Sequence, residues 1–208
     1  MSLKLKRESF TIRSNFCVRT SEKTVLQTFY ERSDIPCKIS FAGATRSLDW
    51  KIAPDTLDLD KYMPVFFDGL REQRDPLLFY AMAGCDDLIL QGGAKRILLV
   101  IPKLIPPIRK ALATKRPELM VKTLMKIAAI CKLSPNCAEA FVPSYRQLLP
   151  TLNLFLKSKV SVEIGLAKAV KLGDVILETL NTMEKYGGED AYLGIKKMIP
   201  TYESCVFC

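Results

Sequence analysis

The chain has 208 residues, 49% of them hydrophobic and 25% charged, a composition that suits one globular domain or a domain with a tail. No uninterrupted apolar run approaches the ~20 residues that span a bilayer, so a membrane-spanning reading is excluded. The formal net charge of +9, from 31 Lys and Arg against 22 Asp and Glu, favours acidic partners. Histidine is absent, which removes the commonest general base and the usual partner of a catalytic Ser or Cys.

Residues 1–27 read as an extended basic arm: Lys4, Lys6, Arg7, Arg13, Arg19 and Lys23 are opposed only by Glu8 and Glu22, with no sustained period. Phe10, Ile12, Phe16, Val18, Val25 and Leu26 give it more apolar content than a purely solvated tail carries, which leaves room for docking. No apolar segment follows the basic start, so no secretory signal is expected and the protein is expected in the cytosol. Residues 28–208 read as one helical repeat domain. It opens with two alternating runs, Cys37 to Phe41 and Leu48 to Ile52, which predict a β-hairpin over about 37–52 with a loop through 42–47. Trp50, the single tryptophan, is expected to anchor packing beneath the helices.

From about residue 60 to 199 the period is helical. Phe66 and Leu70, Leu104, Ile108 and Leu112, Met120, Leu124, Ile127 and Cys131, then Ile176 and Leu180 recur three or four apart. Strands are expected in the hairpin alone. Asp75-Pro76, Arg116-Pro117 and Ser134-Pro135 mark helix starts, with Asp75 and Ser134 as caps. Gly92-Gly93-Ala94-Lys95-Arg96 lacks the spacing of a phosphate loop and reads as a helix stop followed by a helix start. Pro64, Pro102 and Pro143 sit in similar apolar-Pro steps 38 and then 41 residues apart. That spacing predicts an all-α, armadillo or HEAT-like α-α superhelix of about three repeats, with helices bent or split near Pro102 and Pro106-Pro107. A short tail closes the chain.

The candidate binding residues are basic. Lys103 and Lys110 lie seven apart on one helix, and Lys115, Lys122 and Lys126 fall along one side of the next, facing away from the Met120, Leu124, Ile127 stripe. Two readings stay open: a solvated lysine surface and an electrostatic dock for an acidic partner. Arg and aromatic residues are not interleaved in a stripe, so no nucleic acid is expected as partner. The seven cysteines are odd in number and read as reduced thiols, with Cys85, Cys131 and Cys137 as small core or boundary residues. No metal site and no cofactor are expected, since four closely spaced ligands are missing. Cys205-Val206-Phe207-Cys208 formally matches a prenylation box, but its last residue is unusual for one; docking of the tail near Tyr202 is the expectation, with no membrane partner.

The string Tyr186-Gly187-Gly188-Glu189-Asp190-Ala191-Tyr192 is punctuation by residue type: a helix end in left-handed glycine, an acidic helix start, and a stop at Pro200. It comes with Ile199-Pro200-Thr201-Tyr202-Glu203-Ser204-Cys205, Phe29-Tyr30-Glu31-Arg32, Val65-Phe66-Phe67-Asp68-Gly69-Leu70 and Tyr145-Arg146-Gln147-Leu148-Leu149-Pro150. Ser47-Leu48-Asp49-Trp50-Lys51, Gln91-Gly92-Gly93-Ala94-Lys95 and Leu152-Asn153-Leu154-Phe155 fall between them in order. From about Phe29 to Cys205 this series resembles the parkin co-regulated protein family. The resemblance implies an armadillo-like fold, no catalytic activity, and a structural role in the doublet microtubules of cilia and flagella. Its implied partners are α/β-tubulin, a small β-sandwich protein with which it builds the inner junction between B-tubule and A-tubule, and other axonemal inner proteins. The implied location is the axoneme, with a cytoplasmic pool. Lys4, Lys6, Arg7, Arg13, Arg19, Lys103, Lys110, Lys115, Lys122 and Lys126 are then the expected tubulin-binding residues. The competing expectation is a soluble armadillo-like adaptor for chaperone or signalling partners.

Overall fold

The computed structural model describes residues 23–43, 45–164 and 168–206. The arm residues Lys4, Lys6, Arg7, Arg13 and Arg19 lie outside them. Helix α1 (Val25–Glu31) starts inside the segment expected as arm, because Thr24 accepts a hydrogen bond from the Gln27 N–H at 3.1 Å and caps it. Asp68 fastens that start to the body by accepting the Val25 N–H at 2.8 Å. Leu26, fully buried, seats against Gly69, where any side chain would collide with it.

The expected hairpin forms, with a tighter turn. Strands β1 (Cys37–Ala42) and β2 (Thr45–Trp50) pair antiparallel with Ala42 opposite Thr45 and Cys37 opposite Trp50. Gly43 takes φ +63°, which lets the chain reverse in two residues, so pairing runs on through the polar Thr45, Arg46 and Ser47 that the sequence assigns to a loop. Trp50 packs as expected: its ring lies 5.7 Å from Phe66, and its N–H donates to Asp87 at 2.8 Å.

Helices α2 (Leu59–Gly69), α3 (Leu77–Gln91), α4 (Ala94–Ala113) and α5 (Pro117–Leu133) follow, then α6 (Pro135–Glu139), a 3-10 turn at Val142–Ser144 and α7 (Tyr145–Asn153). The protein is mostly helical, as the periodicity predicts. Helix α2 packs on both α3 and α4, while α5 touches α3, α4, α6 and, most extensively, α8 (Leu172–Tyr186); α7 lies between α4 and α9 (Glu189–Met198). One continuous apolar cluster runs from Leu26 through Phe66, Ile101 and Leu124 to Ile176 and Tyr202.

Four expectations change. Of the bent or split helix expected near Pro102 and Pro106-Pro107, the split does not occur: α4 runs unbroken through all three prolines, held by a buried inner face of Ile97, Ile101, Leu104, Ile108 and Leu112. Pro64 and Pro102 stand inside α2 and α4, but Pro143 falls in the 3-10 turn, so the third apolar-Pro step is not equivalent to the first two. Pro117 and Pro135 open their helices, and Ser134 caps α6 by accepting the Cys137 N–H, but Asp75 is no cap. Pro76 occupies that position and Asp75 instead pairs with Arg46 at 2.8 Å, tying β2 to the start of α3. Last, strands are not confined to one hairpin. β3 (Ser161–Ile164) and β4 (Lys168–Lys171) form a second, in which Val162 and Val170 stand opposite each other. Val162 is buried between exposed Ser161 and Glu163, and Val170 half-buried between exposed Ala169 and Lys171, a period of two that the basic composition of the segment obscures.

Candidate functional site

Helix α4 carries five basic residues, Lys95, Arg96, Lys103, Arg109 and Lys110, and no acidic one. Its buried positions recur three and four apart, which turns Lys95, Leu99, Pro102, Lys103, Pro106, Arg109 and Lys110 outward together. Leu99 is 74% exposed in the middle of this stripe. Arg96, half-buried at the edge of the stripe, donates to the carbonyls of Asp55 and Leu57, so it braces the loop before α2. Lys103 pairs with Asp60 of α2 at 3.0 Å, with both side chains more than half exposed, a geometry of small energetic weight. Arg109 and Lys110 have no carboxylate within ion-pair reach among the described residues. Lys115, exposed in the turn after α4 at φ +54°, extends the same charge.

The five expected lysines of the helical body therefore divide. Lys103, Lys110 and Lys115 belong to the exposed basic stretch. Lys122 and Lys126 do not, because α5 is covered on most of its circumference by α3, α4, α6 and α8. Lys126, 5% exposed, reaches across to Asp86 of α3 and pairs with it; Lys122 is half-buried beside it. Both line a groove of about 400 Å³ between α3, α5 and β3, together with Met82, Val121 and Met125. Spacing on α5 correctly places Lys126 off the Met120, Leu124 stripe, but the opposite side meets another helix instead of water.

The C-terminal tail docks as expected, and the group that receives it is one the sequence reading did not single out. Glu184 on α8 is 5% exposed and accepts hydrogen bonds from the Tyr202 hydroxyl at 2.8 Å, the Cys205 N–H at 2.9 Å and the Ser204 hydroxyl. The Cys205 thiol donates to it as well, at 3.1 Å, and Lys196 holds the Tyr202 carbonyl at 2.7 Å. Burial pushes the Glu184 carboxyl up; the donated hydrogen bonds outweigh it and hold the group below its ordinary value. A signal was present: Glu184 follows Ile176 and Leu180 at four-residue steps, an acid at a stripe position. At the preceding turn Gly188, not Gly187, carries the unusual backbone, with φ +74° and ψ −172°. Gly187 lies instead in close contact with Met183 and Ala191.

Burial raises the thiols. Cys37 is pushed up to about 12, chiefly by desolvation with Asp87 adding to it, and Cys131 to about 12 by desolvation and Cys137. Cys85 moves in the same direction, and Cys137 is also fully buried. The three expected core cysteines are therefore packed, and those with raised values stay protonated near neutrality, poor nucleophiles. No helix of the described residues is long and apolar enough to cross a membrane.

Two comparisons bear on what carries this surface. The model of the Parkin co-regulated protein family matches residues 24–204. A mouse (Mus musculus) protein described as Parkin coregulated gene protein homolog is 40% identical over 195 residues, covering 92% of this chain and 80% of that protein. The match takes in the basic helix α4, the Glu184 clamp and the docked tail as far as Ser204, and the chain belongs to the Parkin co-regulated protein family.

Proposed function

We propose that the protein is a non-catalytic structural component of ciliary and flagellar doublet microtubules. It binds tubulin through the basic arm and the outer face of α4, and with a small β-sandwich partner it closes the inner junction between B-tubule and A-tubule. The observation that carries this reading is α4 itself: a twenty-residue helix with five basic and no acidic residues, whose outward cations have little to pair with among the described residues. Such a face attracts an acidic protein lattice and needs no reaction chemistry. Family membership supports the role, and the absence of histidine fits a part that binds without catalysing.

A tagged copy in a ciliated cell tests it. The proposed role requires signal along the axoneme that survives detergent and salt extraction; a diffuse pool that washes out would refute it. That second result would favour a soluble adaptor, for which the methionine-bearing groove between α3, α5 and β3 is the feature to pursue, since Met side chains adapt to varied partners.

A further inference from the structure

Beside the basic stripe, where α1 begins, the surface holds a socket of about 160 Å³ that is open to solvent. Val25 of α1, Pro64 and Val65 of α2, and Pro106 and Pro107 of α4 form its walls, and Lys110 borders it. A cavity of about 150 Å³ accepts one benzene ring, so the volume suits a single aromatic side chain. The walls are mainly apolar. Asp68 also borders the space, but its carboxylate is committed to the Val25 N–H and to Arg71 at 2.8 Å each and presents no free charge.

The prolines call for an explanation. Pro64, Pro106 and Pro107 each lack the N–H that the carbonyl four residues earlier would accept, which leaves Asp60, Pro102 and Lys103 without their helical donors. Such positions weaken a helix, and Pro106, being exposed, returns nothing to the core. What it does supply is a wall of the socket. The chain's own arm is a poor occupant: Lys4, Lys6, Arg7, Arg13 and Arg19 have the same sign as α4, and so does the matching face of a second copy. Charge complementarity selects an acidic partner. Lys103 and Lys110 stand two turns apart, about 10 Å, the span of three extended residues.

We propose that this socket seats one aromatic side chain of an acidic partner segment, whose flanking carboxylates meet Lys103, Arg109 and Lys110. The proposal rests on the acidic-partner reading above and adds its anchor. Fluorescence anisotropy with the full chain tests it, using a labelled pentapeptide of one tyrosine between pairs of glutamates and a control with alanine in place of the tyrosine. The tyrosine peptide should bind about tenfold more tightly, as expected for burying one ring. Val25→Arg, at a position 45% exposed, should remove that preference by filling the socket, and Pro106→Glu should weaken the peptide through its rim charge while circular dichroism stays unchanged. Equal binding of the two peptides, no binding of either at about 1 mM, or a preference that survives both substitutions would overturn the socket. Co-pelleting with microtubules, run on the same variants, separates the two ideas. Ring-dependent peptide binding without co-pelleting removes tubulin and keeps the socket; co-pelleting that both substitutions leave intact, with no ring preference, removes the socket and keeps tubulin.

Discussion

The outer face of α4 and the Glu184 clamp use charge in opposite ways. On the outer face of α4, cations stand in water with few partners among the described residues, so each is nearly neutral for folding and available for binding. At Glu184 one carboxylate is taken out of water and satisfied by the Tyr202, Ser204 and Cys205 groups of the docked tail, so its removal is felt by the fold. Lys126 belongs with Glu184 in this respect, although its sequence neighbourhood resembles that of the α4 lysines. Residue type therefore does not tell a binding charge from a structural one. Burial does.

Substitutions should separate the two classes, and the largest effect is expected at Glu184. Glu184→Ala leaves several tail donors without an acceptor and should destabilise the protein by about 3 kcal/mol in urea unfolding. For a chain of this size that lowers the melting midpoint by about 6–12 °C. A loss under about 0.5 kcal/mol would show that the clamp contributes nothing. Lys126→Ala comes next, at about 1–2 kcal/mol, from lost packing of a buried stem and a broken pair whose Asp86 partner keeps access to water. Lys103→Ala, by contrast, should stay within about 0.5 kcal/mol.

Acid should act on the clamp and spare α4. The folded Glu184 carboxyl lies below its ordinary value of 4.5, so its contribution is fully present above that value and fades as pH falls through the lowered one. Stability should drop with acid beneath pH 4.5 by more in the wild type than in Glu184→Gln, whose amide does not titrate. Parallel pH profiles of the two proteins would remove Glu184 as the source.

These contrasts show where the sequence is readable. The helices announce themselves because buried faces impose a period: Ile101, Leu104 and Ile108 on α4, or Ile176 and Leu180 on α8. Trp50, the Gly92-Gly93 break and the docking of the tail follow from local chemistry that context does not override. What escapes is set by distant neighbours. Lys126 is structural because α3 brings Asp86 to it from 40 positions earlier, and Glu184 because the chain returns 18 residues later with Tyr202. The β3–β4 hairpin escapes for a local reason, since a single inward pair, Val162 and Val170, is too short a pattern to stand out among lysines. The tight turn at Gly43 hides similarly, because exposed strand ends need no apolar alternation.

The smallest stability effect and the largest binding effect should fall on the same substitution. Lys103, Arg109 and Lys110 changed together to Glu should leave the melting midpoint almost unmoved, as exposed sites allow. Co-pelleting of that triple variant with microtubules, compared with the wild type between about 50 and 200 mM salt, measures the central claim most directly. The wild type should pellet at low salt and release as salt rises, and the triple variant should stay in the supernatant throughout while remaining folded. Equal pelleting of the two proteins, with no response to salt, would contradict the account and take the α4 face out of tubulin binding.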